Sequence, residues 1–75
     1  MTKNEVEAYL AKWYGRDPAN PAAPSRFRGV TDDVVNGCAG YSLMHTDITG
    51  ASCITFVPAD VTEAKLDDVM LRAHA

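Results

Sequence analysis

No apolar run among the 75 residues approaches the ~20 that a helix needs to cross a bilayer. The opening MTKNEVEAYLAKW is charged and amphipathic, where a secretory signal has a basic start and an apolar centre. A soluble, cytoplasmic chain with no membrane association is therefore expected. Cysteine is scarce as well: Cys38 and Cys53 are fewer thiols than small disulfide scaffolds carry, so both are expected to be reduced. Positive charge is in deficit, with seven Lys and Arg against ten Asp and Glu for a net charge of −3. That balance lacks the basic footprint of generic nucleic-acid or anionic-membrane binding and favours a basic or neutral protein partner. Signatures of catalysis are missing too: there is no Gly-rich phosphate cradle, HExxH, DxDxDG loop or CxxC pair. No enzymatic activity, metal or cofactor is expected. A chain this short buries only about 60% of the surface that it exposes when unfolded, which leaves little room for an enclosed active site.

What is present reads as one small α+β domain. Thr2 with Glu5 three residues later has the form of a capping box, and Val6, Tyr9, Leu10, Trp13 and Tyr14 then recur at helical spacing until Gly15. This predicts an N-terminal helix whose buried stripe includes Trp13. Pro18, Pro21 and Pro24 follow, which removes donors and disfavours helix, so an extended proline-rich connector is expected. From Phe27 the pattern shortens towards period two, and Asn36-Gly37 is a strong hairpin signal. Strands are predicted near Phe27–Val35, Cys38–Thr46 and Ala51–Pro58. The competing reading makes TDDVVNG a helical turn capped by Thr31 and closed by Gly37, which leaves a two-stranded sheet. Val61, Thr62 and Leu66 have the form of a hydrophobic staple around an N-cap, and Leu66, Val69, Met70 and Ala73 mark one face of a C-terminal helix.

A four-residue loop over Asp47–Gly50 pairs Thr46 with Ala51 and His45 with Ser52. Leu43 then lies opposite Ile54 and Tyr41 opposite Phe56 on the face expected to meet both helices, with Met44 opposite Cys53 on the other. In this register Cys53 lies about six strand positions from the level of Cys38, roughly 20 Å at 3.3 Å per residue, far beyond disulfide reach. His45 and Cys53 point to opposite faces, which argues against a metal site or an activated thiol. Both cysteines read as small strand residues.

Two groups of charged residues stand out. Arg26 and Arg28 flank Phe27 and share a face if that segment is extended, either as a phosphate or carboxylate clamp or as charges protecting a strand edge. Asp67 and Asp68 gain little from the helix dipole and make an acidic patch with Asp60 and Glu63. Arg26, Arg28, Asp67 and Asp68 are thus the candidate partner-binding residues. The expected function is that of a small acidic protein-binding module acting stoichiometrically as an inhibitor or adaptor of a larger protein. In size and charge alone it resembles phage-encoded inhibitors of host machinery. The alternative is a nucleic-acid-associated regulator using Arg16, Arg26 and Arg28. The uncharged last strand, ASCITFVP, also predicts a homodimer paired along that edge, with Thr55 and Val57 near its interface.

Overall fold

The computed structural model describes residues 1–15 and 26–73. The predicted proline connector, Arg16 and His74 lie outside the described residues. The order of elements is α1 (Lys3–Tyr14), β1 (Phe27–Val35), β2 (Cys38–Thr46), β3 (Ser52–Pro58) and α2 (Glu63–Ala73). The strands form one antiparallel sheet in the order β1-β2-β3, and both helices pack on one of its faces. Among the described residues no helix is long and apolar enough to cross a membrane.

Local chemistry sets the element ends. Thr2 Oγ1 accepts from the Glu5 amide at 3.2 Å, and Glu5 Oε1 accepts from the Thr2 amide at 2.8 Å, which completes the capping box. Thr62 Oγ1 accepts from the Lys65 amide at 3.3 Å, with Val61 and Leu66 buried on either side of that cap. Asn36 and Gly37 both have positive φ, 52° and 77°, the conformation of a two-residue type I′ hairpin, and Val35 pairs with Cys38 across it. Thr31–Val35 is accordingly strand rather than a helical turn, and the sheet has three strands.

The second hairpin departs from expectation by one residue, and that shift decides the faces of the sheet. Asp47 is a ladder partner of Ala51, not a loop residue: its amide donates to the Ala51 carbonyl at 2.9 Å. Asp47 Oδ1 accepts from the Thr49 amide, the Thr49 hydroxyl and the Ala51 amide. The Gly50 amide donates to the Asp47 carbonyl, and Gly50 itself has φ of 84°. This is the three-residue loop in which a turn is followed by a left-handed glycine. Thr46 therefore faces Ser52, Leu43 faces Thr55 and Tyr41 faces Val57. A one-residue slip moves every side chain of a strand to the other face. Val57 is consequently fully buried, whereas Ile54, expected in the core, is 73% exposed. Phe56 leaves the helix side with it and faces Ser42.

The core joins Val6 and Leu10 of α1 to Val30, Tyr41, Leu43 and Val57 of the sheet and to Leu66, Val69 and Met70 of α2. Trp13 is a second correction: it is 61% exposed, with the Lys12 ammonium 5.1 Å from its ring centroid. Periodicity assigns a residue to a helix face without fixing how far the surface beneath that face extends. The buried residues of α1 are Val6 and Leu10, and Trp13 lies in the last turn beyond them. Tyr9 and Tyr14 both donate to Asp67 Oδ1, at 2.8 and 2.7 Å, and so tie α1 to α2.

Candidate functional site

Because both helices lie on one side, the other side of the sheet meets no described element. Alternation along the strands puts Gly29, Thr31, Asp33 and Val35 of β1 there, with Gly40, Ser42 and Met44 of β2 and Ile54 and Phe56 of β3. Met44 and Ile54 are direct partners, 38% and 73% exposed. The two glycines shape the surface. A Cβ on Gly40 would meet the Phe56 ring at 2.7 Å and collide with the Val57 carbonyl, while a Cβ on Gly29 would meet Met44 Cε at 3.1 Å. Phe56 thus lies across a gap that only a glycine at position 40 leaves, whereas the flexible end of Met44 merely rests against Gly29. Asp33 is the one charged residue in this set. Ser42 donates to its Oδ2 at 2.6 Å and the Val34 amide to its Oδ1 at 2.8 Å. The Ser42 hydroxyl, followed by that amide, holds its carboxyl below the usual range, so it stays ionised. The result is a face on which Met44, Ile54, Phe56 and Val35 stand among small and polar residues, with one fixed negative charge at Asp33.

On the helix side, the corrected register sets His45 directly opposite Cys53. Both line a cleft of ≈ 440 Å³ with Thr55 and, from α2, Lys65, Asp68, Val69, Arg72 and Ala73. His45 Nε2 lies 2.9 Å from Thr55 Oγ1. Among the described residues Nδ1 is buried with no well-formed hydrogen bond, and burial pushes the His45 pKa down against a weaker upward pull from the Thr46 backbone. Cys38 and Cys53 are both free, the first exposed at the hairpin turn and the second partly buried in the cleft. Among the described residues no group of three or more His, Cys, Asp or Glu is placed to hold a metal ion.

The four sequence-predicted residues are dispersed between β1 and α2. Arg26 and Arg28 are exposed at the start of β1, and the bulge between Phe27 and Gly29 breaks the alternation that would have aligned them. Arg26 acts electrostatically on Tyr14. Asp67 takes both tyrosine hydroxyls. Asp68 pairs with Arg72 at 3.0 Å and with Lys65 at 3.5 Å, and the Arg72 hydrogen bond leads in holding its carboxyl below the usual range. Both acids therefore have partners within the chain.

Sequence reasoning missed the pairing of His45 with Cys53 and the placement of Ile54 and Phe56 on the face away from the helices. The signal for both was Asp47-Ile48-Thr49-Gly50, with Asp at the first and Gly at the fourth position of a type I turn. The molecule belongs to the class of two-layer α+β domains with one bare sheet face. Compared with family models, curated proteins and solved structures, the chain matches none of them.

Proposed function

We propose that this is a non-enzymatic cytoplasmic binding module that docks on a larger protein through the bare face of its sheet and acts there stoichiometrically, as inhibitor or adaptor. The observation that carries the reading is the Met44–Ile54 pair, exposed on the bare face of the β2–β3 hairpin, with Phe56 next to Ile54 on that face of β3. An exposed apolar patch rimmed by polar groups is the usual mark of an interaction surface. Net charge of −3 and the ionised Asp33 select a partner with an apolar centre and a basic rim. Strands of this length spaced about 4.8 Å apart offer a face of roughly 400 Å². A stable interface buries about 800 Å² per partner, so neighbouring surface has to join it. Ile48, 72% exposed at the tip of the second hairpin, supplies apolar area beside the face.

The free edge of β3 offers a backbone route to a homodimer. Val57 is buried in the core and Thr55 is engaged by His45. The test combines affinity capture with salt titration. The wild-type chain should retain a protein partner at one-to-one stoichiometry, Ile54→Asp should lose it while keeping its fold, and affinity should fall only modestly with salt. A steep salt dependence would instead indicate phosphate contacts and a nucleic acid. A species of twice 8.1 kDa in sedimentation, lost in Ile54→Asp, would make the partner a second copy.

A further inference from the structure

The sheet has two edges, and the chain protects only one of them. Val35 and Cys38 flank the two-residue turn as a hydrogen-bonded pair, so alternation turns the Val34 N–H outward from β1. Asp33 Oδ1 takes that donor at 2.8 Å, the Phe27–Gly29 bulge breaks the strand, and Arg26 and Arg28 stand exposed at its start. The β3 edge has none of these devices. On its inner side the Asp47 amide donates to the Ala51 carbonyl and the Ala59 amide to the Ala39 carbonyl, at the two ends of an unbroken register. Cys53, Thr55 and Val57 therefore turn their backbone groups to β2, and Ser52, Ile54 and Phe56 turn theirs outward. Among the described residues none of those three outward N–H groups has a hydrogen-bond partner. No charged side chain lies within Ala51–Pro58 to repel a second strand.

We infer that two copies of the chain join along β3, antiparallel and two-fold symmetric about Ile54, into one six-stranded sheet whose two bare faces become a single platform. Pro58 fixes the register. It has no N–H, and its carbonyl already accepts from the Val61 amide at 3.0 Å, so the pairing uses the strand before it. Centred on Ile54, the pairing sets Ile54 opposite Ile54 of the second copy and Ser52 opposite its Phe56. Every outward N–H and C=O of these three residues in both copies is then used, in about six hydrogen bonds. Because Met44 is the ladder partner of Ile54, one apolar row runs across the joint: Met44, Ile54, then Ile54 and Met44 of the second copy. One bare face offers roughly 400 Å², half of the about 800 Å² that a stable interface buries per partner. Two joined faces supply the missing half. The pairing itself rests on the backbone of β3, and only the use of the joined platform rests on the docking role proposed above.

The test uses the purified whole chain, with sedimentation equilibrium for mass and residue-resolved amide exchange for the joint. As concentration rises through the micromolar range, the mass should move from 8.1 kDa towards twice that value. Over the same range exchange at the Ile54 and Phe56 amides should slow roughly tenfold or more, while Cys53 and Thr55, bonded to β2 throughout, should stay slow. Ser52→Pro deletes one outward donor per copy and leaves Met44, Ile54 and Phe56 in place, so it should weaken association roughly tenfold. A mass of 8.1 kDa throughout, or a folded Ser52→Pro that associates as tightly as the wild type, would overturn the inference. So would a dimer whose Ile54 and Phe56 amides still exchange fast, because two sheets packed face to face leave the β3 edge free. Should Ser52→Pro fail to fold, the wild-type amides decide. A monomer that still crosslinks to one larger protein from position 54 removes the pairing and leaves the docking role, and a paired chain without that adduct supports the pairing and removes the docking role.

Discussion

The register of β3 is testable by placing the same residue at two positions on the one strand. Threonine keeps the β-branch of valine and isoleucine, so Val57→Thr and Ile54→Thr leave strand propensity nearly unchanged and differ in surroundings alone. Val57 is fully buried between the helices and the sheet, and exchanging one of its methyls for a hydroxyl puts a polar group among apolar neighbours. That costs about 1–3 kcal/mol. For a domain of this size each kcal/mol moves Tm by roughly 4–8 °C, so Val57→Thr should lower it by roughly 5–20 °C. Ile54 is 73% exposed, and Ile54→Thr should stay within about 0.5 kcal/mol, a few degrees at most. Thermal melts by far-UV circular dichroism, at one protein concentration so that association does not enter, resolve a difference of this size. The alternative register, with Thr46 opposite Ala51, buries Ile54 instead. A larger loss from Ile54→Thr than from Val57→Thr would refute the assignment of faces and everything built on it.

Trp13→Ala should leave Tm nearly unchanged, and the single tryptophan should emit as a solvent-exposed indole that acrylamide quenches freely; blue-shifted, protected emission would contradict its position. The Asp67 carboxylate is the leading cause that pushes the Tyr9 phenol up to about 12, followed by burial, and ultraviolet titration should show that high pKa fall in Asp67→Asn. Because the folded value lies above the ordinary 10, the stabilisation from this pair is complete below pH 10 and is lost as pH rises towards 12. His45 runs the other way. Burial holds its pKa below 6.5, so its contribution is complete above pH 6.5 and declines as pH falls through the folded value; a folded His45→Gln variant should lack that decline in pH-dependent melts.

Elements whose cause is local were readable from sequence. The Thr2–Glu5 capping box, the Asn36-Gly37 turn and the Val61–Leu66 staple each need only a few neighbouring residues to form, and each appears where its spacing placed it. The faces of β3 were not readable with the same security, because they depend on whether Asp47 belongs to the loop or to the ladder. Three donors converging on one Asp47 oxygen make that choice, and the choice carries Ile54 to the surface and Cys53 to His45. Trp13 shows a different limit. Helical spacing is a property of one segment, whereas burial depends on a partner surface whose extent is set elsewhere in the chain. Asp67 likewise reads as a free surface acid until Tyr9 and Tyr14, more than fifty residues away in sequence, are seen to reach it.

The proposed role depends on the bare sheet face being the surface that meets a partner. A photo-crosslinking residue placed at position 54, and in a second sample at the exposed position 64 on α2, tests this directly in extracts of cells that encode the chain. The account predicts one dominant protein adduct at one-to-one stoichiometry from position 54 and none from position 64. Adducts from position 64 alone, or none from either position, would contradict it.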